Sequence, residues 1–236
     1  YLILISTLFI RRERFRVYTK LVVEECIQVG YDSIFIVVIV STFIGAVTAV
    51  QTGYNLVSDY IPVSVIGTIV RDMTILELAP TIISVVLAGK VGSNIAGYLG
   101  TMRITEQIDA LEVMGINSAS YLILPKILGC MIMFPMLVII SAFLSIYGGF
   151  LAGTLTHALT EEEYIKGVRQ GFQAYNIWFA LIKSFVFAFI ISSISSYNGY
   201  FTKGGALEVG QSSTTAVTNS CIGVLLADFF LAKLLL

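Results

Sequence analysis

Four ionisable residues lie inside long apolar stretches of the sequence, where a charge is costly unless it has a partner or water. They are Glu77, Lys90, Lys183 and Asp228. Charges in such positions can pair to hold helices together, line a polar cavity for a charged ligand, or relay protons. Bond-breaking chemistry has less support, because the one histidine, His157, has no metal-ligand partner in sequence and there is no Gly-x-Ser-x-Gly elbow. We therefore expect no catalytic residue and no metal site.

ATP hydrolysis by this chain is not expected either. A phosphate-binding loop needs G-x-x-x-x-G-K followed by Ser or Thr. The nearest candidate is Gly89-Lys90, but position 84 is Ser84 and the lysine is followed by Val91. A motor, if one is used, has to come from another subunit.

The composition indicates that most of the chain is surrounded by lipid. Of its 236 residues, 57% are hydrophobic and 12% are charged, and the mean hydropathy is +0.90. A soluble domain normally carries about a quarter charged residues. The net charge of −1, with basic residues clustered only in the first twenty positions, argues against a nucleic-acid partner.

Five segments are apolar over the roughly 20 residues that a spanning helix needs. They are about 34–52, 75–99, 127–155, 177–197 and 216–236. Within 1–30, apolar residues from Phe15 to Val29 recur at steps of three and four, which predicts an amphipathic helix lying along the membrane surface. Residues 1–10 are apolar but precede arginines, the reverse of a signal peptide, so we expect them to belong to the mature protein. The predicted fold is an all-α integral membrane protein with an N-terminal interfacial helix and five transmembrane helices.

The distribution of lysine and arginine predicts the orientation. With the N-terminus in the cytoplasm, eight basic residues lie inside and four outside. The inner set is Arg11, Arg12, Arg14, Arg16, Lys20, Arg103, Lys126 and Lys203, and the outer set is Arg71, Lys166, Arg169 and Lys233. The C-terminus is then external, and so is the acidic run from Glu161 to Glu163.

A short polar segment, GTMRITEQIDALEVMGI at 100–116, separates the second and third predicted spans. Apolar residues recur on one face of a helix there, with acids on the others. The apolar set is Ile104, Ile108, Leu111 and Gly115, and the acids are Glu106, Asp109 and Glu112. One reading is a small cap on the membrane surface, although such helices are usually basic. The other is a docking helix for a cytoplasmic partner, which the acids favour.

The buried charges also leave two readings open. Glu77, Lys183 and Asp228 fall in the outer half of their predicted spans, whereas Lys90 lies near the inner boundary and is expected to snorkel. Lys183 could bridge the two carboxylates and lock helices together. Alternatively, the three charges could line a cavity that accepts a lipid headgroup.

Long motifs resemble the permease subunit of MlaE/YrbE-type ABC transporters. The most specific is LELAPTIISVVLAGKVGSNIAGYLGTMRITEQIDALEVMGI at 76–116. The resemblance continues through LPKILG at 124–129, IKSFVFAF at 182–189, SSYNGY at 195–200 and LLADFFL at 225–231, and back to FRVYTKLVVEECIQVG at 15–30. It covers nearly the whole chain as a single permease domain, 1–236.

The resemblance implies a membrane subunit driven from the cytoplasm. Two copies are expected to pair in the bacterial inner membrane, each receiving an ABC ATPase subunit at a coupling helix over 104–115. ATP and Mg²⁺ would be bound by that subunit, so no cofactor is expected in this chain. The implied contact residues are Ile104, Glu106, Gln107, Asp109, Ala110 and Glu112.

The resemblance also implies a lipid cargo. Phospholipid would pass between the inner membrane and a periplasmic MCE-domain protein, in the maintenance of outer-membrane lipid asymmetry, and a STAS-domain protein can be a further partner. The implied substrate pathway is Glu77, Lys183 and Asp228, with Leu56, Val57, Tyr60 and Leu78 as its apolar wall. Neutralising Lys183 is then expected to abolish lipid transfer. The rival class is a proton-coupled secondary transporter using the buried Glu, Lys and Asp, but five spans without a visible repeat weigh against it.

Overall fold

A computed structural model describes residues 1, 15–55, 62–156 and 160–235. Over these ranges the regular structure is entirely helical. The helices are α1 (Phe15–Asn55), α2 (Val65–Ile104), α3 (Gln107–Val113), α4 (Ser118–Leu155), α5 (Glu161–Arg169), α6 (Ala174–Tyr200) and α7 (Ala206–Leu235).

Five of these helices, α1, α2, α4, α6 and α7, are long and apolar enough to cross a membrane. The predicted number of spans and the all-α class are therefore confirmed. Each helix is longer than the apolar segment that predicted it. Only the part inside the hydrocarbon region has to be apolar. The same helix can therefore continue through polar residues outside that region. The N-terminal amphipathic segment is helical from Phe15, but it runs without a break into the first span as part of α1. Gly30 alone does not end the helix, since a single glycine costs only about 1 kcal/mol.

The chain divides into two compact units. The first unit comprises Tyr1–Ser33, Ser84–Phe134 and Phe185–Leu236, and the second comprises Ile34–Ile83 and Pro135–Ser184. In the first unit, glycines let α2 approach its neighbours closely. A Cβ on Gly92 would lie 2.9 Å from the Ser195 hydroxyl, and one on Gly199 would lie 2.6 Å from the Ala96 carbonyl oxygen.

In the second unit, α1 and α4 meet along a seam of small residues. A Cβ on Gly45 would lie 1.7 Å from the Ser145 carbonyl oxygen, so only glycine fits. The hydroxyl of Ser41 donates to that of Ser141 over 2.8 Å, and the Ser145 hydroxyl donates to the Ser41 carbonyl over 2.8 Å. Close approach of small residues with interhelical hydrogen bonds is how helices associate in lipid, where burial of apolar surface gives no driving force.

Helix α2 changes its winding twice. It is π-helical over Thr74–Ile82 and again over Ala88–Gly92. Pro80 lies inside the first π-helical stretch, where its missing N–H and its ring disfavour regular α-helix. Short π-helical turns are often found at functional sites, and this one contains Glu77.

Candidate functional site

In the second unit, the structure brings Glu77 of α2 and Lys183 of α6 together. The Lys183 Nζ lies 2.6 Å from a carboxylate oxygen of Glu77. The lysine side chain is fully buried, whereas 51% of the glutamate side chain is exposed. The ammonium also lies 4.9 Å from the centre of the Phe179 ring, a cation–π contact.

The winding of α2 supplies a second partner for Lys183. In an α-helix the N–H of residue 80 would bond the carbonyl of residue 76, but Pro80 has no N–H to donate. The Lys183 Nζ donates to this Leu76 carbonyl over 3.2 Å. The buried ammonium is therefore held by a carboxylate and a backbone carbonyl of the same turn.

This geometry determines which member of the pair a ligand could reach. Because Lys183 is buried and Glu77 is half-exposed, the carboxylate is the group presented to the surroundings. The contact with buried Lys183 holds this carboxylate in place. Such a pair can accept a hydrogen bond from an ammonium or hydroxyl group of a ligand while its own charge stays balanced.

The other predicted pathway residues are placed as follows. Asp228 lies on α7 in the first unit and is buried, with 9% of its surface exposed. Leu78 is half-buried beside Glu77, whereas Leu56, Val57 and Tyr60 lie outside the described residues. The convergence of Asp228 with the Glu77–Lys183 pair, and the apolar wall, stay predictions. Lys90 is half-buried and donates to the backbone carbonyl of Asp32 on α1.

In the first unit, the predicted coupling helix is shorter than 104–115. Ile104 is the last residue of α2, and α3 covers Gln107–Val113. The chain turns between them at Glu106, which has a φ of 59°, and the Thr105 hydroxyl donates to the Thr101 carbonyl at the end of α2. A left-handed residue cannot continue a helix, and this is why one predicted helix becomes two.

Helix α3 is attached to the spans at several points. Ile108 is fully buried and anchors the inner face of the helix. Asp109 pairs with Arg103 of α2 over 2.6 Å. Glu112 accepts hydrogen bonds from the hydroxyls of Ser118 (2.8 Å) and Tyr200 (3.0 Å). Two of the three acids that predicted a docking helix therefore also fix its position on α2, α4 and α6.

The outward face of α3 is exposed at the predicted contact residues. Glu106, Gln107, Asp109, Ala110 and Glu112 are exposed, and Ile104 is half-buried. Two apolar residues at the end of this face, Val113 and Met114, were not predicted from the sequence and are 89% and 65% exposed. The sequence does carry a signal for them. Val113 and Met114 are apolar residues at helix positions off the predicted apolar face, where polar residues are expected.

A second ion pair was also missed. Lys126 of α4 pairs with Glu25 of α1, and the lysine Nζ lies 4.5 Å from the Tyr98 ring centre. Both charges border an apolar groove of about 370 Å³ that also touches Gln107 and Met114. The pair was missed because Lys126 was treated as a loop charge and Glu25 as part of a surface helix.

Known proteins match this chain over most of its length. A sequence profile of the family described as Permease MlaE matches residues 22–234. The chain is 36% identical over 217 residues to a probable ABC transporter permease protein of Rickettsia bellii, covering 92% of this chain and 83% of the relative.

Two more distant organisms supply similar proteins. The chain is 34% identical to the probable ABC transporter permease protein slr1045 of Synechocystis sp., over 93% of this chain and 83% of the relative. It is 30% identical to the protein TRIGALACTOSYLDIACYLGLYCEROL 1, chloroplastic, of Arabidopsis thaliana, over 92% of this chain and 62% of the relative. With the five candidate spans, these matches show that the chain belongs to the MlaE permease family and is a multi-pass permease subunit of an ABC transporter.

Proposed function

We propose that this chain moves phospholipid across or out of the bacterial inner membrane as one of two permease copies driven by a cytoplasmic ABC ATPase. On the external side it exchanges lipid with an MCE-domain carrier, and a STAS-domain protein is a further candidate partner. The process served is the maintenance of outer-membrane lipid asymmetry. The lipid cargo is supported by the Arabidopsis relative, whose name includes that of a galactolipid.

The observation that supports coupling to an ATPase is the way in which α3 is held by the spans. This helix is exposed along one face, yet Ile108, Asp109 and Glu112 tie it to the spans around it. An element that only turned the chain would not need both properties. A helix that a partner can grip and that cannot move independently of the spans is suited to transmit ATP-driven motion into the membrane.

The docking surface can be tested at Val113 and Met114, its two exposed apolar residues. In a complex reconstituted with its ATPase, Val113→Asp together with Met114→Asp should weaken ATPase binding at least about tenfold, because buried apolar anchors dominate interface energies. The matched control is Val63→Asp, which changes an exposed valine in the second unit. Unchanged ATPase binding by the Val113/Met114 variant would contradict the proposal.

The lipid cargo needs a separate measurement. The complex is placed in one liposome population, and transfer of a labelled phospholipid to the MCE-domain carrier, or from it, is followed with and without ATP. We expect transfer that requires ATP and the ATPase and is indifferent to a proton gradient. Transfer driven by a proton gradient without the ATPase would instead support a secondary transporter relaying protons through the buried charges.

A further inference from the structure

An apolar groove of about 420 Å³ lies between α4 and α5 in the second unit. Its lining includes Phe143, Tyr147, Phe150, Tyr164, Ile165 and Arg169. We propose that this groove is a specific phospholipid site, distinct from the Glu77 pathway, in which an acyl chain lies along α4 and the phosphate is bound by Arg169 and Lys166. The inference does not depend on what the permease transports.

The floor of the groove is rigid. Tyr164 is 2% exposed, and its hydroxyl donates to the Ile146 carbonyl over 2.9 Å. The absence of a side chain at Gly149 admits this hydroxyl, since a Cβ there would lie 2.7 Å from it. The Phe150 ring packs on Tyr164 with 5.8 Å between ring centres. Burial raises the pKa of Tyr164 above its ordinary value of 10.0, in keeping with the enclosed position of its hydroxyl.

The sides of the groove are open. Phe143 is 71% exposed, Tyr147 is 49% exposed and Ile165 is 44% exposed. Phe143 and Tyr147 are on α4, a helix apolar enough to span the membrane, so the solvent that meets them there is lipid. A preformed apolar channel bordered by aromatic rings matches an acyl chain in shape and chemistry.

Lys166 and Arg169, in the last turn of α5, are not needed to cap that helix and can bind a ligand. Buried Arg71 donates to the carbonyls of Val168 and Gln170 over 2.8 and 2.7 Å, and its charge is balanced by Asp72 at 2.8 Å. The helix end is thus satisfied without Lys166 or Arg169. Within the described residues, neither of these two forms an ion pair within 4.0 Å.

Lys166 and Arg169 are exposed and stand three residues apart, which places them on one face of α5. They border an open depression that adjoins the groove through Ile165 and Arg169, and Glu162 is the acid on the same border. Among the residues that line this depression, two cations lie against one acid. Arginine and lysine are the side chains that hold phosphate groups, arginine with two parallel hydrogen bonds.

The apolar groove and the two cations at its end together indicate what binds there. An apolar groove alone would accept any hydrophobic helix, and such a helix would use the two cations only if an acidic residue or its C-terminal end lay against them. An amphiphile with an anionic head satisfies both the groove and its rim. Each basic residue near a membrane surface contributes about 1 kcal/mol toward an anionic lipid, so the pair predicts roughly thirtyfold selectivity for anionic over zwitterionic lipid.

The single tryptophan of the chain, Trp178, makes a fluorescence test possible. The full chain carrying Phe143→Trp and Trp178→Phe is placed in phosphatidylcholine vesicles containing a brominated lipid, which quenches a tryptophan that it touches. We expect brominated phosphatidylglycerol to quench at roughly thirtyfold lower mole fraction than brominated phosphatidylcholine. Adding Lys166→Gln and Arg169→Gln should remove this difference.

The control reports ordinary boundary lipid. It carries Phe35→Trp and Trp178→Phe, since Phe35 is 76% exposed on α1 and does not line the groove. There the two brominated lipids should quench equally. Equal quenching at position 143, or selectivity that survives loss of both cations, would overturn the proposal. So would protection of position 143 from every brominated lipid, because another polypeptide would then fill the groove. Lipid transfer is not measured, so the proposed transport function is tested separately.

Discussion

At the scale of single residues, the unequal burial of the Glu77–Lys183 pair matters most. A buried charge that loses its partner is destabilising, whereas replacing the whole pair by apolar side chains is often neutral. Here the lysine is fully buried and the glutamate half-exposed. Removing the glutamate therefore takes a carboxylate at 2.6 Å away from a buried ammonium, whereas removing the lysine leaves a carboxylate that water or lipid headgroups can solvate.

This asymmetry predicts different stabilities with the same transport defect. Glu77→Leu should destabilise the protein by about 3 kcal/mol, Lys183→Met by much less, and the double variant should recover most of the loss. Unfolding in detergent measures this, and the lipid-transfer assay measures function. We expect all three to abolish transfer at matched abundance, and normal transfer by the double variant would show that the pair only locks α2 to α6.

A second residue-scale prediction concerns the start of α5. The Thr160 hydroxyl and backbone N–H both donate to the Glu163 carboxylate, at 2.7 and 3.1 Å, in a capping box. These bonds lower the pKa of Glu163 from its ordinary value of 4.5. Because the folded-state pKa is depressed, the stabilisation is complete above about pH 4.5 and is lost as the pH falls through the lower folded value.

Hydrogen exchange of the α5 amides, corrected for intrinsic rates, checks this. Protection should drop on acidification below pH 4.5 in the natural protein and change less in Glu163→Gln, which cannot titrate. The same acid response in both proteins would assign the effect to other groups.

At the scale of helices, small residues decide how closely α1 and α4 pack in the second unit. Gly45→Ala would force its Cβ within 1.7 Å of the Ser145 carbonyl oxygen, so the helices must separate. We expect a loss of about 2 kcal/mol. The control is Gly210→Ala on α7, where a Cβ meets nothing within 4 Å and the better helix propensity of alanine should stabilise slightly. Equal thermal unfolding of the two variants would contradict this account of the seam.

At the scale of the whole molecule, the orientation proposed from the charge bias can be measured. A variant without its native cysteines carries either Val113→Cys or Ile165→Cys, both at exposed positions. A membrane-impermeant thiol reagent added to spheroplasts should label position 165 directly and position 113 only after the membrane is opened. The reverse pattern would place α3 outside the cell and remove the argument for a cytoplasmic ATPase.

Much of the architecture was determined by the sequence alone. Hydrophobic stretches must cross lipid as helices because no other conformation satisfies the backbone there, so the five spans followed from composition and length. The charges of the polar segment after α2 also predicted a docking helix there rather than a simple loop between spans. The resemblance to MlaE permeases rested on motifs spread over nearly the whole chain, and the family match confirmed it.

Tertiary structure decided what depends on side chains distant in sequence. The partners of Lys183, Lys126 and Arg71 lie on other helices or at a helix end, and no local pattern gives the rotation that brings them together. The Leu76 carbonyl accepts a hydrogen bond from a side chain only because Lys183 lies next to it in the folded protein. The break at Glu106 likewise reflects how α2 ends rather than any apolar period. Periodicity determines which residues form a helix and which face is apolar, whereas the pairing of faces is decided by packing.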